Sequence, residues 1–161
     1  MDPRLQPVIG ILELNSALFR RSLEGVDQAS AEKRPNGRTN SLGFIACHAL
    51  DARFYLLRMC GHDITNPWRE LFDAAKDIED MKELPPVYEI ATVWEELHGA
   101  TLSHLREMTV SELDGEVSQS FPTADRSLLG AVSFLAFHEA YHVGQMGLVR
   151  KFLGFPPVVE R

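Results

Sequence analysis

Cysteine is scarce in this chain: among 161 residues only Cys47 and Cys60 occur. Two thiols make no disulfide framework, so the expectation is free cysteines in a reducing, cytoplasmic compartment. Basic residues are outnumbered, with 16 Lys and Arg against 23 Asp and Glu and a formal charge of −7. The nearest approach to a basic cluster is Arg20-Arg21 and, farther on, Lys33-Arg34 with Arg38. That is too sparse to follow a phosphate backbone, and nucleic acid is not an expected partner. Long apolar runs are also missing. The longest, Leu128 to Phe137, contains Gly and Ser and is about half a membrane span. No signal-peptide pattern stands ahead of Glu13, and no membrane partner is expected. Strand-like alternation is absent too. What is present is ordinary for a globular chain, with 45% hydrophobic and 24% charged residues. A single domain over residues 1–161 with its own core is the expectation.

Apolar residues recur at helical spacing in four long segments. The first runs from Leu5 to Leu23, with Leu5, Val8, Ile9, Leu12, Ser16, Phe19 and Leu23 on one stripe. Ile11, Leu14 and Leu18 form a second, opposite stripe that invites a partner helix, as in a homodimer. Ala29 to Asn40, with Pro35-Asn36-Gly37, reads as a linker. Asn40 or Ser41 caps a second helix that reaches Cys60, where Gly61 stops it. Its expected core face is Leu42, Ile45, Ala46, Ala49, Ala52, Leu56 and Leu57, with His48 at the edge. Residues 61–86 form the longest connector, with a turn of helix around Arg69 to Lys76. A third helix fits Val87 to Met108, and Val110 to Ala124 reads as irregular. The last helix starts near Asp125 or Ser127 and reaches Leu153, ahead of Gly154-Phe155-Pro156-Pro157. The expectation is an all-α four-helix bundle with a long connector between its second and third helices.

The chemical signal lies in the six histidines. In His138-Glu139-Ala140-Tyr141-His142 two imidazoles stand four residues apart, one above the other on a helix face. Ala131, Phe134, Leu135, Gln145, Val149 and Phe152 share that arc, so the pair is expected to point into the bundle. A lone buried histidine is usually satisfied by a neighbouring polar group, and such a network is the bland alternative here. Two on one apolar stripe are harder to satisfy, and a divalent cation serves both at once. His48 is the best third ligand, with His104 as a reserve. His98 reads as solvated or interfacial and His62 as exposed in a loop. Cys47 projects away from His48, and Cys60 reads as a small core residue. Three imidazoles suit zinc or nickel and leave a coordination position open, as catalytic sites do. Gln145, Tyr141 and Tyr55 flank the region and could orient a ligand.

The literal H-E-x-x-H pattern also matches a metallohydrolase with Glu139 as general base. Against it, Val143 to Arg161 contains no further histidine, and no strand is at hand to edge a peptide cleft. A third alternative is a non-catalytic bundle whose ion only clamps helices.

Two stretches together resemble a known family: Asn40-Ser41-Leu42-Gly43-Phe44-Ile45-Ala46-Cys47-His48, and His138-Glu139-Ala140-Tyr141-His142-Val143-Gly144-Gln145. They are similar to the DinB-like superfamily, the YfiT-like metal-dependent four-helix proteins, distinct from the DNA polymerase that shares the name. The resemblance covers nearly the whole chain, including the long connector and Arg150-Lys151-Phe152-Leu153-Gly154. It implies a bundle with His48, His138 and His142 on one divalent metal, and often a dimer. It also implies thiol-dependent S-transferase or isomerase chemistry, in which the metal activates a low-molecular-weight thiol such as bacillithiol or mycothiol. The substrate pocket lies outside the matched motifs, so the small electrophile is left open.

Overall fold

Helix starts appear where side chains can serve orphan amides. In the computed structural model, which describes residues 1–74 and 83–159, Ser41 Oγ accepts from the Phe44 amide at 3.2 Å. That caps α3 (Leu42–Met59), as Ser127 Oγ caps α7 (Leu128–Phe152) through the Gly130 amide. The first helix, α1, spans Leu5–Leu23, and α5 spans Val87–Glu107 behind Pro86. Pro86 offers no cap, and the Val87 amide donates instead to Gln28 Oε1 at 3.0 Å. Gly61 and Gly154, just past α3 and α7, take φ of 88° and 90°, the left-handed region that glycine enters without a Cβ clash.

Three short helices complete the described residues, and two of them correct the sequence reading. The Ala29–Asn40 linker overlaps α2 (Gln28–Glu32), nucleated by Asp27 accepting from the Ser30 amide. The irregular stretch after Met108 begins with α6 (Val110–Leu113), held by a reciprocal Thr109–Glu112 capping box. Each is one turn or so, too short for periodicity to show. The turn expected at Arg69–Lys76 is α4 (Arg69–Ala74), with Lys76 outside the described residues. Those residues contain no strand, only an isolated bridge between Glu116 and Ser127.

Named contacts fix the directions of the four long helices. Asn15 donates to the Ala136 carbonyl at 3.1 Å, and Arg150 to those of Ser22 and Glu24, so α1 and α7 run parallel. Arg20 pairs with Glu95, and Arg106 with Glu13, so α5 runs antiparallel to α1. Arg53 meets both Glu139 and His98, while His104 reaches the Cys60 carbonyl. Hence α3 runs parallel to α5 and antiparallel to α7. Two parallel helices that follow each other in sequence need a connection as long as the bundle. At about 1.5 Å per residue, the 18 residues of α3 span roughly 27 Å, which is why the α3–α5 connector is the longest. Ile64, Trp68, Phe72 and Leu84 pack its described parts onto the core.

The core departs from the expected stripes on two helices. Ala52 is only partly buried, whereas Arg53 is 1% exposed. On α7, Phe152 is 71% exposed, and Ala136, Glu139, Val143 and Met146 are buried instead. Apolar residues surround α7, so periodicity alone could not choose the inward face.

Candidate metal centre

His48 on α3 and the His138–His142 pair on α7 come together where these antiparallel helices lie side by side. Ring centroids are 5.3 Å apart for His48–His138, 4.5 Å for His48–His142 and 4.4 Å for His138–His142. One ligand atom from each residue lies within 4.8 Å of the others. The Nε2 atoms of His138 and His142 are 3.1 Å apart. Two nitrogens about 2.0–2.1 Å from one tetrahedral ion would be roughly 3.3 Å apart, so this spacing fits a shared cation. Contrary to the sequence expectation, the triad does not sit in a dry interior. His48 is exposed and the other two are half-buried, so the triad is reached by solvent on the His48 side.

Electrostatics keep the rings in their ligating form. Burial and the neighbouring His142 and His48 push His138 down to about 4. Although part of His48 is exposed, the protein packed around its ring, and His142, also lower it, against an opposing pull from Asp51. Burial lowers His142, with Gln145 opposing. All three are therefore neutral at pH 7, with no proton to displace before a cation binds. Gln145 Oε1 lies 2.8 Å from His142 Nδ1. An amide oxygen only accepts, so Nδ1 carries the hydrogen and Nε2 presents its lone pair. The Nδ1 of His138 is buried without a partner. A neutral, converging, incompletely satisfied set of imidazoles is a donor set that fits a divalent cation.

The intervening Glu139 faces the other way. Its carboxylate takes Arg53 Nε and Nη2 at 2.6 Å each, and both side chains are sealed in the core. This corrects the expectation that Glu139 flanks the histidines as general base or ligand-orienting group. One residue from His138 is about 100° around the helix, enough to turn it from the triad into the core. The burial of Arg53 is what sequence reasoning missed. Its only signal was a charged residue beside the apolar arc of α3.

A family model described as the DinB superfamily matches residues 11–146. The chain belongs to the DinB superfamily. Among solved structures, YfiT from Bacillus subtilis aligns over 97% of this chain and 91% of its own, at 14% identity and a TM-score of 0.68. That protein is described as a probable metal-dependent hydrolase with an unusual four-helix bundle topology. At this identity the likeness speaks for the fold. No curated protein matches the chain.

The other candidate residues of this DinB chain separate clearly. Gln145 hydrogen-bonds His142 of the triad. Tyr141 is 57% exposed beside the triad, its ring 5.2 Å from that of His142. Tyr55 lines a cavity with Arg58, Met59 and Gln119. His104, the reserve ligand, is not in the cluster: its Nε2 lies 2.8 Å from the Cys60 carbonyl. His62 is half-buried against it, not exposed in a loop. His98 is not a solvated residue either. It is half-buried with Nδ1 3.2 Å from Arg53 Nη1, and burial together with Arg53 pushes it down to about 4. A cavity of about 980 Å³ lined by Leu23, Val26, Val87 and Tyr88 includes none of the histidines.

Proposed function

We propose that the protein is a metal-dependent enzyme that transfers a low-molecular-weight thiol to a small electrophile, with His48, His138 and His142 as ligands to zinc or nickel. The observation that carries this reading is the convergence of three neutral imidazoles, within 4.8 Å of one another, with His48 exposed to solvent. A three-histidine cluster with an exposed member leaves room for an exchangeable ligand, where a structural site would be closed by a fourth side chain. A bound late divalent cation would supply Lewis acidity, lowering the pKa of a coordinated thiol. The chain's own residues do the rest. Gln145 holds the tautomer of His142, Phe134 lies tilted beside His138 at 6.2 Å between centroids, and Tyr141 offers its hydroxyl at the rim. Glu139, committed to Arg53, is no proton carrier for the triad.

Hydrolysis is the second reading, favoured by the solvent exposure of His48, which lets water reach the same position. The test is elemental analysis of untagged protein, then turnover of electrophile and ester panels with and without added thiols. Near-stoichiometric metal with thiol-dependent consumption of an electrophile is expected. Metal with thiol-independent ester cleavage would favour the hydrolase, and metal-free protein indistinguishable from His138→Ala would sink both readings.

A homodimer in the cytoplasm belongs to the same proposal. Ile11 and Leu14 on α1 and Phe137, Tyr141, Leu148 and Phe152 on α7 are exposed apolar residues on two parallel neighbours. Both cysteines are free, as a reducing compartment would keep them. No helix among the described residues is long and apolar enough to cross a membrane. Light scattering of wild type and Leu14→Lys should show a dimer and a monomer.

A further inference from the structure

The two helices that carry the histidines are also joined by a buried ion pair. Arg53 and Glu139 are 1% and 2% exposed, and two bonds of 2.6 Å join guanidinium to carboxylate in a fork. The guanidinium also lies over the Trp94 ring, 4.9 Å from its centroid, and its Nη1 meets His98 Nδ1. Trp94 is in turn pinned to α1: its indole N–H donates to Ser16 Oγ at 3.0 Å, and its ring stacks on Phe19 at 3.8 Å. One polar node therefore touches all four long helices. It lies beside the triad in sequence on both sides, since Glu139 follows His138 directly and Arg53 is five residues past His48.

We infer that Arg53 and Glu139 are positioning residues that fix the register of α3 against α7 at which the three imidazoles converge, an inference that rests on the triad being the metal site. Apolar contacts between α3 and α7 are non-directional, and Ala, Leu and Val surfaces accept small slides at little cost. A bidentate arginine–carboxylate fork does not. A slip of one residue is about 1.5 Å along the axis, enough to break both bonds. The same slip would move His48 past His138 and His142, whereas a metal constellation needs its ligands within roughly 0.5 Å of place. A buried ion pair is weak evidence for stability, because apolar replacements of similar volume often hold a fold as well. Its best-attested use is register. Here the register it sets is the one the triad needs.

The test uses full-length protein stripped of metal, titrated with Co(II), and followed by visible absorption, with Zn(II) affinity measured against a chromophoric chelator. The variants are Glu139→Gln, Arg53→Lys and the paired Arg53→Met/Glu139→Met, with Leu102→Ala as a destabilised control on α5. The expected result is a loss of about tenfold or more in Zn(II) affinity and altered Co(II) bands in every variant of the pair. Leu102→Ala should melt earlier yet bind as wild type. The Met/Met protein should recover much of the thermal stability without recovering the Co(II) spectrum. Wild-type affinity and spectrum in any folded variant of the pair would overturn the inference. Wild type that binds neither ion would instead sink the metal reading, and the positioning role with it.

Discussion

Two pairs of histidine rings in this bundle have nearly the same geometry and opposite character. His48 and His138 have centroids 5.3 Å apart with planes at 60°, while His62 and His104 stand 5.3 Å apart at 59°. Ring packing therefore says nothing about chemistry. The nitrogens do. His104 is served by protein, its Nε2 against the Cys60 carbonyl at the end of α3. In the triad, two Nε2 atoms face each other at 3.1 Å, and His138 Nδ1 has no partner at all. A histidine that the fold has already satisfied is structural. A set that the fold has brought together and left unsatisfied is built for something from outside.

The largest effect should come from breaking that distinction directly. Alanine at His48, His138 or His142 removes one of three ligands, and elemental analysis should show near-complete loss of bound metal. His62→Ala and His104→Ala should keep it. Metal loss in His104→Ala would dissolve the contrast between the two groups.

Much of this contrast was readable in the chain, and the part that was not has physical causes. The i, i+4 spacing places His138 and His142 on one face whatever the neighbours do, and His48 lies on a helix long enough to meet them. Caps at Ser41 and Ser127 and stops at Gly61 and Gly154 set the long helices almost to the residue. What spacing cannot show is which side of an apolar helix faces inward. Phe137, Tyr141, Leu148 and Phe152 give α7 a second apolar face, so spacing alone points the histidines into the interior, whereas His138 and His142 are half-buried beside an exposed His48. Arg53 and Glu139 were hidden for a related reason. Charged residues are read as surface unless their partner is known, and this partner is 86 positions away.

A smaller effect is expected at Gln145, which links the triad to its surroundings. Gln145→Leu removes the acceptor from His142 Nδ1 and frees the ring to turn. Outer partners of this kind are worth about 10–100-fold in metal affinity, so chelator competition should show weakening without abolition. Wild-type affinity in the variant would mean that packing alone orients His142.

His98 provides a third kind of histidine, satisfied by a cation. Burial and Arg53 hold its ring to about 4, below the ordinary 6.5. As pH falls, the unfolded chain takes up this proton first, so the stabilisation is intact above pH 6.5 and is lost between 6.5 and about 4. His98→Gln keeps an acceptor for Arg53 and removes the titration. Urea unfolding of metal-free protein at pH 7 and pH 4.5 should show a larger loss for wild type than for the variant. Equal losses would place the proton elsewhere.

The smallest effect tests His104 and its ring neighbour His62 on their own terms. His104→Ala leaves the Cys60 carbonyl without its side-chain donor at the C-terminal end of α3, where the helix's own amides have run out. A neutral hydrogen bond of this kind contributes about 1 kcal/mol net, and partial exposure lets water replace some of it. Denaturant melts should therefore shift by about 1 kcal/mol or less, with bound metal unchanged. His62→Ala, which removes a ring neighbour and no recorded hydrogen bond of that carbonyl, should shift less still. If His62→Ala were the more damaging, ring packing would outweigh the nitrogen's partner, and the argument separating the two histidine groups would have to be rebuilt on contact area.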